Sequence, residues 1–167
     1  LAALAILGLT TGMQAESKRT AEYLLSTPNE FDGKDMTVDV AFVKPVHWVS
    51  PIPEIAFFHA LTIDRSDRKP GGGILVAIPV EDAKSFARKY GTDFDGRFDA
   101  DALKGVFTSA GGPPKDQEHG RRIWLIDTTG QLQKLIADKK INLPLDEGMD
   151  SGFGPGPGPG PGKHHKP

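Results

Sequence analysis

Three of the five histidines, His47, His59 and His119, fall in the middle of the chain, where imidazoles from separate segments can converge on a metal ion. A metal held that way lowers the pKa of its bound water, and with a carboxylate as general base the set is that of a metal-dependent hydrolase. No paired carboxylate stands near them in sequence to orient them. His47 is followed by Trp48 among Pro45, Pro51 and Pro53. A loop so stiffened either holds the indole plane ready to stack on a base or a sugar ring, or folds it back as an apolar cap. Farther on, Lys115, His119, Arg121 and Arg122 make a small cationic cluster suited to an anionic ligand, with Asp116 and Glu118 among them as balancing charges. Arg65, Arg68 and Lys69 can extend it.

Other chemistries fail on spacing. The acidic stretch from Asp93 to Asp101 invites calcium, but placing Asp95-Gly96 at the fifth and sixth positions of an EF-hand loop puts Gly91 first and Ala102 last, where carboxylates belong. Phe94 and Phe98 are better read as anchors of that loop. Gly71-Gly72-Gly73 leads into a strand and is not followed by Lys-Ser or Lys-Thr, so it is no phosphate loop. No G-x-S-x-G elbow and no H-E-x-x-H pair occurs. The absence of cysteine removes thiol nucleophiles, thiolate zinc sites and disulfides.

With 167 residues, 38% of them hydrophobic and 25% charged, the chain suits one soluble domain. Twenty Lys and Arg against 22 Asp and Glu leave a formal charge of −2, far from the basic balance of a general phosphate-backbone binder. Little counterion release is available to such a surface, which favours an oligosaccharide, a peptide or a protein as partner over nucleic acid.

Residues 1–15, LAALAILGLTTGMQA, are uncharged, apolar through Leu9, then small and polar, and stop at Ala15 before Glu16-Ser17-Lys18-Arg19. This is the pattern of the apolar and cleavage regions of a truncated signal peptide, with Met13 larger than the usual residue at its position. It predicts a secreted or periplasmic protein, in a compartment where nucleotide-driven chemistry has little fuel. The segment is short for a membrane span, and no second one follows. Residues 148–167 change composition: glycine and proline alternate from Gly154 to Gly162, with a period of two where collagen needs three. They read as an extended, disordered tail tipped by Lys163-His164-His165-Lys166-Pro167. The folded domain is then expected over residues 16–147.

Within it, Ser17 to Leu25 reads as a helix stopped by Pro28, and residues 29–34 as a turn. Met36, Val38, Val40 and Phe42 alternate with polar or small residues, the signature of a half-buried strand. Ile55 to Asp64 forms a second strand with Phe57, His59, Leu61 and Ile63 on one face. A polar connection precedes Ile74 to Val80, a β-branched run suited to a buried strand. Glu81 to Tyr90 is helical, with Ala83, Phe86, Ala87 and Tyr90 on one face and Gly91 as its stop. Leu103 to Ser109 and Arg122 to Asp127 are the last strands, and Gln131 to Lys140 closes as a helix.

A mainly β chain with flanking helices in the order β-β-β-α-β-β resembles the OB-fold, a five-stranded Greek-key barrel whose helix lies between the third and fourth strands. Phe31-Asp32-Gly33-Lys34 leading into Met36-Thr37-Val38-Asp39-Val40 looks like the entry to the first strand of bacterial tRNA-anticodon-type OB domains. The resemblance implies a ligand surface on strands two and three, bordered by the loop between strands one and two and the loop between strands four and five. His47, Trp48, Lys115, His119 and Arg121 are then the expected ligand contacts of a non-catalytic binding module that needs no cofactor and no metal. The metal-dependent hydrolase is the rival, and a third reading is an envelope assembly component whose Gly-Pro tail spaces a basic tip from the barrel.

Overall fold

Residues 19–47, 49–92, 99–110 and 123–139 are described by the computed structural model. Helices α1 (Ala21–Ser26) and α2 (Pro28–Phe31) precede strands β1 (Lys34–Pro45), β2 (Ile55–Asp64) and β3 (Lys69–Pro79). A 3-10 turn, Val80–Asp82, leads into α3 (Ala83–Tyr90), followed by β4 (Asp101–Ala110), β5 (Ile123–Asp127) and α4 (Leu132–Lys139). The strands close into a barrel in the order β1-β2-β3-β5-β4, with β3 and β5 parallel and the other pairs antiparallel. This is a closed five-stranded barrel with OB-like topology, and α3 lies between the third and fourth strands as expected.

Closure follows from β1 being long enough for two partners. Its first half pairs with β4, Lys34 opposite Phe107 through Val40 opposite Asp101, and its second half with β2, Val40 opposite Thr62 through Pro45 opposite Phe58. Between Val40 and Phe42 the register slips, and this bulge bends the strand from one partner to the other. The extra residue changes the phase of the side chains. Val38, Val40 and Val43 point into the main core with Phe58, Val76, Leu103 and Phe107, while Phe42 joins a separate patch with Leu61 and Ile63. The expected alternation through Phe42 is thus broken one residue before its end.

Aromatic rings fill the core. Trp124 stacks on Phe107 at 5.3 Å between centroids, and Phe31 meets Phe107 edge-on at 6.4 Å. α3 closes the barrel with Phe86, which lies 5.1 Å from the Phe58 ring and 4.8 Å from that of Tyr90. The helix stops at Gly91, whose φ of 76° suits glycine, and the Gly91 carbonyl accepts from the Val43 N–H at 3.0 Å. Stop and strand are therefore tied together.

The predicted first helix begins later than expected, at Ala21 behind the N-cap Thr20, and the predicted turn over residues 29–34 contains α2. Thr62, fully buried, anchors α1 to the barrel: its hydroxyl accepts from the Ala21 N–H at 2.9 Å and donates to the Gly71 carbonyl at 2.8 Å. β3 also starts earlier than the β-branched run, at Lys69, so the triple glycine belongs to the strand. The α1 side of the barrel explains this, because a Cβ on Gly71 would run into the Thr20 side chain.

Candidate functional site

α4 decides which part of the outer barrel surface is open. Leu132, Leu135 and Ile136 pack on the outer side of β2, β3 and β5, against Ile55, Phe57, Leu75, Ala77 and Leu125. Part of the strand-two and strand-three surface expected to meet a ligand is therefore taken by the chain's own helix, and Phe57 and Leu75 are buried beneath it. Asp127 sets the helix in place. One carboxylate oxygen accepts from the Thr129 N–H and hydroxyl at 2.9 and 2.7 Å, and the other accepts from the Leu132 N–H at 3.0 Å. These bonds satisfy donors that a helix N-terminus otherwise leaves open.

The same apolar cluster contains the roots of both candidate loops. Ile52, fully buried, anchors the β1–β2 loop, and Ala110 and Ile123 bracket the connection between β4 and β5. The sequence pointed to His47, Trp48, Lys115, His119 and Arg121 in these loops but not to the roots, because Ile52 between two prolines carries no periodic signal. Hydrogen bonds tie both ends of the β1–β2 loop: the Val46 N–H donates to the Phe57 carbonyl at 3.2 Å, and the Ser50 hydroxyl donates to the Ile52 carbonyl at 2.7 Å. Lys139 at the end of α4 closes it from outside by an ion pair with Glu54 at 2.7 Å, and this contact holds the Glu54 carboxyl below its ordinary range.

Of the predicted contacts, His47 is exposed on this loop, next to the exposed Val49. Trp48, Lys115, His119 and Arg121 lie outside the described residues, as do Arg122 and the acidic residues 93–98. His59 stands on β2, half-buried, opposite Lys44 of β1 and Leu75 of β3. Arg65, expected to extend the cationic surface, is committed elsewhere. Its Nε lies 2.9 Å from an oxygen of the buried Asp39, and its terminal nitrogen donates to the Ala100 carbonyl at 2.7 Å. That Asp39 oxygen gets the cation beside it but no aligned N–H, so the contact is an ion pair rather than a directed hydrogen bond. Lys69 pairs with Asp67 at 3.1 Å.

Burial, and secondly the charge of His47, holds the His59 imidazole below the ordinary value of 6.5. At neutral pH the ring is neutral, with one N–H to give and one lone pair to accept a hydrogen bond or bind a metal. The unfolded chain takes up the proton at higher pH than the folded one. Stability from this residue is therefore complete above about pH 6.5 and is lost as pH falls through the folded value. An NMR titration of the ring protons is expected to find His59 below 6.5, and His47→Ala is expected to raise it while leaving it below 6.5, because burial is the larger cause. A rise to 6.5 or beyond would show that the neighbouring charge dominates.

Among the described residues no cluster of three or more metal-ligating side chains forms, and no helix is long and apolar enough to cross a membrane. Comparison with known proteins gave no match to a family model, a curated protein or a solved structure.

Proposed function

We propose that the chain is an exported, non-catalytic binding module that takes its ligand between the β1–β2 loop and the β4–β5 connection. The observation that carries this reading is the shared root: Ile52, Ala110 and Ile123 belong to one apolar cluster, beside which His47 and His59 offer polar contacts. The resemblance to tRNA-anticodon-type OB domains supports a binding role, and the near-neutral charge favours an oligosaccharide, a peptide or a protein as the ligand. The uncharged, apolar pattern of residues 1–15 resembles a signal peptide and supports export.

The test is to titrate isotope-labelled protein with three probes: a neutral hexasaccharide, a glutamate-rich peptide and a thymidine decamer. Amide shifts at Val46, His47 and Ser50, with binding weakened tenfold or more by Trp48→Ala, are expected for one of the first two. Shifts confined to other surfaces, or none with any probe, reject the site. A second reading is a metal-dependent hydrolase in which His47 and His59, near enough for the charge of one to act on the other, would be joined by His119. One equivalent of zinc surviving dialysis, with hydrolysis lost on chelation, would establish that reading instead.

A further inference from the structure

We propose that residues 140–147, Lys140-Ile141-Asn142-Leu143-Pro144-Leu145-Asp146-Glu147, dock along the outer side of α3 as an apolar strap whose acidic end is held by Lys89 and Lys104. These residues lie outside the described ones; the groove they fit does not. It has a volume of ≈ 440 Å³ and runs between α3 and β4, with Phe86 and Leu103 as its apolar floor. Asp82 stands at one end, Ser85 in the middle and Lys89 at the other end, with Lys104 across from α3 on β4.

Three observations choose this occupant. The first is where α4 delivers the chain. Lys139 is paired with Glu54 at 2.7 Å, and the Glu54 carbonyl accepts from the Val80 N–H at 2.9 Å, so the segment leaves beside the 3-10 turn that opens the groove. Val80, 49% exposed, gives that short path an apolar surface. The second is charge. Starting from that turn, a chain laid along α3 passes Asp82 and Ser85 first and brings Asp146 and Glu147 to Lys89 and Lys104 last.

The third is pattern and reach. Ile141, Leu143 and Leu145 alternate with Asn142 and Pro144, which puts the apolar side chains of an extended chain on one face. Pro144 opposes continuation of α4 as a helix. Asp82 to Lys89 spans about 10 Å at the helical rise, while seven extended steps from Lys140 to Glu147 reach about 23 Å. The difference is enough to pass from the end of α4 over Val80.

The chain has no cysteine, so Leu145→Cys in the full-length protein carries a single nitroxide label. Strong broadening is expected at the amides of Ser85, Phe86 and Lys89, with those of Ser66 and Lys69 in the β2–β3 hairpin unaffected. Reversing both acids, Asp146→Lys with Glu147→Lys, is expected to cut the broadening severalfold, and adding Lys89→Glu with Lys104→Glu to restore it. Broadening spread evenly over the surface, or indifferent to the charge reversal, overturns the docking. So does broadening delivered only by a labelled second copy mixed with isotope-labelled protein, which would make the groove an interface between copies. Uptake of dodecanoate at the same amides of the unlabelled, unaltered chain, with no change in the resonances of residues 140–147, would show the groove standing open and overturn it as well.

Discussion

Asp127→Ala is expected to destabilise the protein by about 3 kcal/mol, read as a fall in the denaturant midpoint, and to loosen α4 before the barrel opens. Asp127 is 3% exposed and its carboxylate receives three hydrogen bonds, two of them from the backbone of the turn and the first residue of α4. Alanine leaves those N–H groups without acceptors. Loss of a helix cap alone costs about 1 kcal/mol, and each orphaned buried donor adds about 1 kcal/mol or more. The effect reaches the candidate site because α4 carries Leu132, Leu135 and Ile136 over Phe57 and Leu75, and Lys139 to Glu54. Amide exchange in α4 should therefore accelerate more than exchange in β1 or β4. Asp127→Asn keeps one carbonyl acceptor and should lose about half as much. Equal acceleration throughout, or a loss within 0.5 kcal/mol of zero, would mean that apolar packing alone seats the helix.

How much of this was legible beforehand depends on whether a feature is periodic. β2 was readable to its ends, Ile55 and Asp64, because β-branched and aromatic residues fill it between turn residues. The strand order and the place of α3 followed from the same reasoning, and the closed barrel agrees with them. The bulge in β1 was not readable: it falls at Ala41, a residue that fits either face, and no local signal distinguishes it from the regular alternation that would have put Phe42 beside Val40. Gly71 to Gly73 read as a connection because glycine has low strand propensity, yet these residues are in β3, where Gly71 makes room for Thr20 from another part of the chain. Helical periodicity announced α4 but could not say which surface it covers. For that reason the outer face of β2 and β3 looked open in sequence, and Phe57, His59, Leu61 and Ile63 looked like one face with one role. In the folded protein Phe57 lies under α4, Leu61 and Ile63 pack with Phe42, and His59 is left half-buried between the two patches.

Gly105→Ala, the addition of a single methyl group, is expected to cost about 3 kcal/mol in the same unfolding measurement. Gly105 faces the seam between β4 and β5, where a Cβ would come within 2.6 Å of the Ile126 Cγ2 and 2.7 Å of the Asp127 carbonyl oxygen. The first contact can be eased by a side-chain rotation, but the second is with backbone and can be relieved only by moving a strand. Overpacking of this kind costs about 1–3 kcal/mol when neighbours can shift and more when they cannot. Here the neighbour is the residue whose side chain caps α4, so displaced backbone at Asp127 also misdirects its carboxylate. The two substitutions therefore act on one device, and their effects should fall short of additive when combined, since the cap broken by Asp127→Ala cannot be broken again by Gly105→Ala. A double-mutant cycle checks this. Simple addition would show that the β4–β5 seam and the seating of α4 are independent. A shortfall of about 1 kcal/mol would show that close backbone approach at Gly105 is what aims Asp127 at the helix, and through it closes α4 over the side of the barrel where both candidate loops are rooted.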